Sequence, residues 1–251
     1  MENLEKENKF YSNRKNWDFS KIKFTTIYDP QNKFDFFDTI KKYSDNSSLC
    51  LDLGTGGGEN LLKFYPDVGY IIAMDFSPEM IQTAQQNLKS FPKRKVKFII
   101  GDNFKLNFPN NLFDLVSARN TNYDPVQVFN ILKDKGTFII QGVDTKDCYD
   151  IKTYFKRGQG YNSKENVSEL EFQKFKGVGF SSVNLYPILF TEYYENKEEL
   201  LKLLLKAPII NDCDVNDNVI ENDILDKYIA DHQTEKGIEL KRVYYGILAI
   251  K

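Results

Sequence analysis

Two hydrophobic periodicities alternate along this chain from residue 49 onward. Short apolar runs read as buried strands: Leu49 to Leu53, Tyr70 to Met74, Val96 to Ile100, Phe113 to Ala118 and Thr137 to Gln141. Between them the apolar residues fall at helical spacing. Met80, Ile81, Ala84 and Leu88 share one face of a helix that Ser77 caps and Pro78 opens. Asn60 to Tyr65 predicts a short helix stopped by Pro66, and Asp38 to Tyr43 a helix leading into the first strand. Asp124-Pro125 opens another helix, which reaches Leu132 and closes at Gly136.

The second half of the chain is less regular. Ser163 to Lys176 predicts a helix ended by Gly177 and Gly179, and Val183 to Tyr194 a long strand that Pro187 keeps from being central at that point. Asn196 to Lys206 is a leucine-rich helix stopped before Pro208. Ile224, Leu225, Tyr228, Ile229 and His232 share a face of a further helix ended by Gly237, and Val243 to Ile250 supplies the last strand. Residues 1 to 46 show no clear period but are rich in aromatics, which a disordered tail would lack.

The chemistry is concentrated where strands end. After the first strand stands Asp52-x-Gly54-x-Gly56-x-Gly58, a tight turn in which bare backbone comes close to a ligand and the first amides of the next helix point outward unpaired. A dinucleotide fingerprint would need a third small residue for close helix packing; counted from Gly54 that position is Glu59, and counted from Gly56 it is Leu61. The second strand ends in Asp75, about 20 residues after the glycine turn, where a carboxylate accepts from both hydroxyls of a ribose, and Phe76 beside it offers an apolar face to a base. Gly101, Asp102 and Asn103 follow the third strand directly. Acids at successive strand ends point to one nucleotide-like ligand.

The spacing of this glycine loop resembles motif I of the class I S-adenosylmethionine-dependent methyltransferases. Asp75-Phe76-Ser77-Pro78-Glu79-Met80, the Gly101-Asp102 pair and the Phe113-Asp114-Leu115-Val116 run continue the resemblance over residues 49 to 142. The resemblance implies a Rossmann-like, doubly wound α/β fold: a seven-stranded sheet, mostly parallel with an antiparallel last strand, and helical lid elements. It implies S-adenosylmethionine as cofactor, with Asp52, Gly54, Gly56 and Gly58 at its methionine part, Asp75 on its ribose, and Phe76, Asp102 and Asn103 at its adenine. The segment after the fourth strand flanks the transferable methyl group in that family, so Asn120 and Tyr123 are candidates for touching substrate. Ala118-Arg119-Asn120-Thr121 departs from the Asn or Asp, Pro, Pro, aromatic pattern of nucleic-acid amine methyltransferases.

A two-part organisation is expected: an aromatic lid or cap over residues 1 to 46, with Tyr11 and Trp17 either on the substrate or only covering the sheet edge, and a methyltransferase domain over 47 to 251 with a helical insertion at about 195 to 237. His232, the single histidine, is the candidate general base, although on an apolar helix face a histidine is more often a hydrogen-bonded core residue. The net charge of −2 gives no global attraction to a polyanion, so nucleic acid is not the expected partner. Three scattered cysteines, Cys50, Cys148 and Cys213, suggest neither a disulfide framework nor a metal site. With no apolar run of membrane-spanning length and a charged N-terminus, a cytoplasmic protein without a membrane partner is expected. The function these readings favour is methyl transfer to a small-molecule acceptor, with RNA or protein methylation and a non-catalytic cofactor-binding module as the alternatives.

Overall fold

The computed structural model describes residues 21–210 and 220–251. Five parallel strands form half of the sheet: β2 (Leu49–Leu53), β3 (Tyr70–Asp75), β4 (Val96–Ile100), β5 (Phe113–Arg119) and β6 (Leu132–Val143). The other half is antiparallel, built from β1 (Phe24–Tyr28), β7 (Ser182–Tyr194), β8 (Gln233–Thr234) and β9 (Gly237–Ile250). The strand order is β1-β7-β9-β6-β5-β2-β3-β4, with β8 on β9. The sheet thus has nine strands of mixed direction rather than seven mostly parallel ones. The added β1 is a run of β-branched and aromatic residues, Phe-Thr-Thr-Ile-Tyr, whose Phe24 and Tyr28 rings lean on Tyr194 and Phe190 of β7.

Helices cover both faces. On one lie α1 (Phe36–Tyr43), α2 (Glu59–Phe64) and α3 (Pro78–Leu88), whose Ile40, Leu62 and Ala84 close a core over Cys50, Leu115 and Ile139. On the other lie α4 (Pro125–Ile131) and α6 (Val167–Gln173), over Leu51, Val116 and Phe138. Alternation along each strand puts successive residues into opposite cores.

Pro187 sits where β7 pairs only with β9, since β1 begins pairing at Phe190, so its missing amide faces a free edge. Gly136 does not cap a helix. Lys135 takes the left-handed conformation instead (φ 63°), β6 starts at Leu132, and a Cβ on Gly136 would stand 2.7 Å from the Lys133 carbonyl oxygen.

A third core arises because β7 and β9 outrun their neighbours. The last β6–β9 pair is Val143 with Tyr244, while β9 continues pairing with β7 as far as Ile238. This overhang, widened by β1, carries α5 (Tyr149–Phe155), α7 (Lys197–Lys206) and α8 (Asn222–His232). Ile151, Phe155, Leu200, Leu204, Leu225 and Tyr228 pack there against Tyr194, Ile238 and Leu240. No helix among the described residues is long and apolar enough to cross a membrane.

Candidate functional site

The glycine turn after β2 has three positive φ angles, at Gly54 (67°), Gly56 (58°) and Gly58 (73°), in a conformation that L side chains resist. Their surroundings differ. A Cβ on Gly54 would stand 2.4 Å from Thr121 Oγ1, and one on Gly58 would stand 2.9 Å from the Phe98 ring; both positions serve close packing. A Cβ on Gly56 would meet nothing within 4 Å, so this glycine faces open space at the carboxyl edge of the sheet. The Thr55 amide donates to the Met74 carbonyl at 2.9 Å, which ties the turn to the end of β3.

Two carboxylates flank the turn. Asp75 Oδ2 accepts from the Gly56 amide at 2.8 Å and Oδ1 from the Ser77 amide at 3.0 Å, leaving one further lone pair on each oxygen for a ligand. Burial raises its pKa, and the amides of Ser77, Gly56 and Phe76 oppose the rise. Asp52 is likewise buried, with Oδ1 accepting from Ser117 Oγ at 2.7 Å. Burial pushes its carboxyl up to about 6, against the pull of Ser117, Thr55 and Arg119.

Thr55 Oγ1 comes near enough to Asp52 to act on it electrostatically but completes no hydrogen bond. It and Asn103 Oδ1 are the two buried side-chain polar atoms without a partner among the described residues, and both stand at this edge. The Asn103 amide nitrogen reaches across to Thr121 Oγ1 (3.1 Å) and the Asn122 carbonyl (3.0 Å), so the loops after β4 and β5 meet beside Gly54. Asp102 is exposed and caps its own turn by accepting from the Phe104 amide at 2.8 Å, and the ring of Phe76 is 43% exposed. Two orphaned polar atoms, a bare glycine and an exposed ring fit a polar nucleoside with one apolar face.

Arg119 ends β5 on the same face as Asp52. Its guanidinium lies 5.7 Å from the centre of the Phe37 ring. It lines a small cavity with Asp52, Gly54, Thr55, Asn60 and Phe37. Beyond it, between α1 and the faces of β6, β7 and β9, opens a cavity of about 590 Å³. Tyr28, Phe34, Tyr186, Phe190 and Tyr244 supply its aromatic walls, and Asp29, Asn32, Lys33, Asp35, Asp38, Thr39, Lys42 and Gln141 its polar ones.

The structure brings Asp52, Gly54, Gly56, Asp75, Phe76 and Asn103 to one edge. Asn120, exposed at φ 53°, stands at the same edge just past β5. Tyr123 does not join them. It is buried in the opposite core against Phe138, and its hydroxyl donates to Glu171 at 2.9 Å. His232 belongs to the third core, stacked on Tyr228 with ring centres 4.1 Å apart and its Nδ1 3.0 Å from the Tyr228 carbonyl. Tyr11 and Trp17 lie outside the described residues. Among the described residues no cluster of ligating side chains could hold a metal ion. Arg119, Thr55 and Thr121 had not been expected at the site; the period-two spacing of Ser117 and Arg119, read beside Asp52, was the one signal for Arg119.

A family model described as a methyltransferase domain matches residues 44–204. The chain belongs to that family, of the class I S-adenosylmethionine-dependent type. Over 112 residues it is 32% identical to a demethylmenaquinone methyltransferase of Lactococcus lactis, a match covering 40% of this chain and 44% of that one. Over 97 residues it is 30% identical to the uncharacterized methyltransferase YcgJ of Bacillus subtilis, covering 36% and 38%. The chain therefore matches less than half the length of either relative. The crystal structure of YcgJ superposes with a TM-score of 0.54 over 85% of this chain and 96% of that one, at 16% identity, which shows a shared fold. The family accounts for the glycine turn and the strand-end acids together.

Proposed function

We propose that the protein transfers a methyl group from S-adenosylmethionine to a small-molecule acceptor held in the cavity between α1 and the sheet. The observation that carries this reading is the adjacency of two differently built spaces at the carboxyl edge. One is the polar groove around Gly56, Asp75 and the orphaned Thr55 and Asn103 oxygens; the other is the aromatic-walled cavity. A volume of about 590 Å³ suits a metabolite rather than a polymer. An aromatic ring system is the acceptor best matched to walls of Tyr28, Phe34, Tyr186, Phe190 and Tyr244, and the demethylmenaquinone methyltransferase relative is consistent with that class.

Within this reading Asp75 accepts from the ribose hydroxyls, Asp52 holds the ammonium, and Gly54, Gly56 and Gly58 let the chain pass close beneath. Phe76 covers the adenine, with Asp102 and Asn103 at its polar edge. Bound there, S-adenosylmethionine supplies an electrophilic methyl on a cationic sulfur. What the chain contributes is alignment: Gln141 lines the aromatic-walled cavity and its carbonyl accepts from the Asn120 amide at 2.8 Å, which sets Asn120 beside it. In-line displacement asks for little else, so an acid–base pair is not required of the site.

The test is calorimetry on the full chain followed by a transfer assay. S-adenosylhomocysteine should bind while NAD does not, and Asp75→Ala should weaken it about tenfold or more. Label from methyl-labelled S-adenosylmethionine should enter a metabolite fraction and not total RNA or protein. Binding of NAD alone, or label in macromolecules only, overturns the proposal.

A further inference from the structure

We infer that Asp52 and Arg119 form a two-charge cradle for the amino-acid end of the cofactor, with the Arg119 guanidinium taking the carboxylate. The inference rests on the cofactor reading above and adds to it a residue for which the glycine motif has no place.

The placement follows from strand register. Asp52 of β2 pairs with Ser117 of β5, so Arg119 stands one pleat further toward the carboxyl edge on the same face. That offset brings opposite charges near each other without joining them. Asp52 takes its hydrogen bond from Ser117 instead, and among the described residues the Arg119 guanidinium makes neither a hydrogen bond nor an ion pair; it lies against the Phe37 ring. Each still feels the other. Burial lowers the Arg119 pKa and Asp52 opposes that, while Arg119 opposes the rise at Asp52.

A half-buried guanidinium whose five donors meet no acceptor among the described residues is an incomplete site. The space between the two charges, about 50 Å³ and bordered by Gly54, Thr55 and Asn60, has room for a few heavy atoms and not for a ring system. An α-amino acid head group carries an ammonium and a carboxylate on one carbon. It satisfies both partners at once and adds no net charge to a buried place, which neither a lone anion nor a lone cation does.

Paired ligands test this. S-adenosylhomocysteine carries the amino-acid end, whereas methylthioadenosine has the same nucleoside and sulfur without it. In the full chain, Arg119→Met should weaken S-adenosylhomocysteine about tenfold or more and leave methylthioadenosine within about twofold. Arg119→Lys, which keeps the charge but not the fork, should lose less. Retained methylthioadenosine binding shows that each variant is folded. Equal losses for both ligands, or an unchanged S-adenosylhomocysteine affinity with a raised acceptor KM, would assign the guanidinium elsewhere and overturn the inference alone. Wild-type protein that binds neither ligand would instead remove the cofactor reading, and this inference with it.

Discussion

The molecule holds two arginines near the carboxyl side of one sheet, Arg242 buried and Arg119 half-buried, and treats them in opposite ways. Arg242, on the β9 overhang and 8% exposed, is saturated: its Nε and Nη2 donate to the two oxygens of Asp147 at 2.9 and 3.1 Å, and Nη1 donates to Glu192 Oε2 at 2.6 Å. Nη2 also donates to the Tyr244 hydroxyl, and Tyr194 completes Glu192 at 2.6 Å. Burial works against the charge, and Cys148, Tyr244, Asp147 and Glu192 outweigh it, so the guanidinium is held well above its ordinary pKa. Arg119 has a ring beneath it and open donors. The difference separates a charge that builds the protein from one that awaits a ligand. The overhang closes its polar groups on itself, whereas the glycine-turn edge leaves Thr55, Asn103 and Arg119 incomplete.

The strongest way to break that comparison is to treat both arginines alike. Arg242→Met strands two carboxylates in the third core, and breaking a buried network in this way costs about 3–5 kcal/mol. Urea unfolding should show that loss, while the folded fraction binds S-adenosylhomocysteine as before. A loss no larger than that of Arg119→Met would erase the distinction between the two sites.

Asp52 gives a second, smaller contrast, because it is a ligand-facing charge held at a cost. Its pKa is raised from 3.8 to about 6, so the native state binds its proton more tightly than the unfolded chain does. Stability from this group is therefore fully present below about pH 4 and lost as pH rises through about 6, an upper bound of about 3 kcal/mol. Asp52→Asn keeps an acceptor for Ser117 and removes the charge. At pH 7.5 it should be more stable than wild type in urea, and the difference should shrink toward pH 4. Affinity for S-adenosylhomocysteine should move the other way. In wild type it tightens as pH rises through about 6 and the carboxylate ionises; in the variant it stays flat. A wild-type affinity that is level across this range would take Asp52 out of the ammonium site.

The same two regions differ in how far they could be read from the residues alone. Each strand end from Asp52 to Asn103 is local: strand, acid and glycine are neighbours in the chain, and the family resemblance rests on such short words. What joins them is not local. Gly54 meets Thr121, Asn103 reaches Asn122, and Asp52 faces Arg119, all because β5 lies beside β2 with two strands intervening in sequence. Tyr123 was misplaced for a similar reason. Asn120 takes a left-handed turn (φ 53°), and by Tyr123 the chain has entered the opposite core, a change of face that hydrophobic period does not encode. β1 escaped notice because its partner β7 is distant in the chain; Phe24 pairs with Tyr194, yet its own five residues hold no closing turn. The antiparallel overhang is thus the product of long-range pairing, and the residues alone show only the two amphipathic helices that pack on it.

The smallest effect belongs to His232, where the two regions make opposite predictions for one side chain. If the overhang is purely structural, His232 is a packed ring: it stacks on Tyr228, meets Tyr154 edge-on at 5.6 Å, and shares one hydrogen bond with the Tyr228 carbonyl. Those contacts lie beside the core of Ile151, Phe155 and Leu225, and neither Tyr154 nor Tyr228 belongs to the glycine turn or lines the aromatic cavity. Replacing it with Ala should cost about 1 kcal/mol, the sum of one partly exposed stack and one neutral hydrogen bond. Turnover per folded molecule and its pH profile should be unchanged. A general base would behave differently, with turnover falling about a hundredfold or more at constant cofactor affinity. That outcome would require α8 to swing over the acceptor, and the overhang would then be part of the catalytic machinery instead of its support.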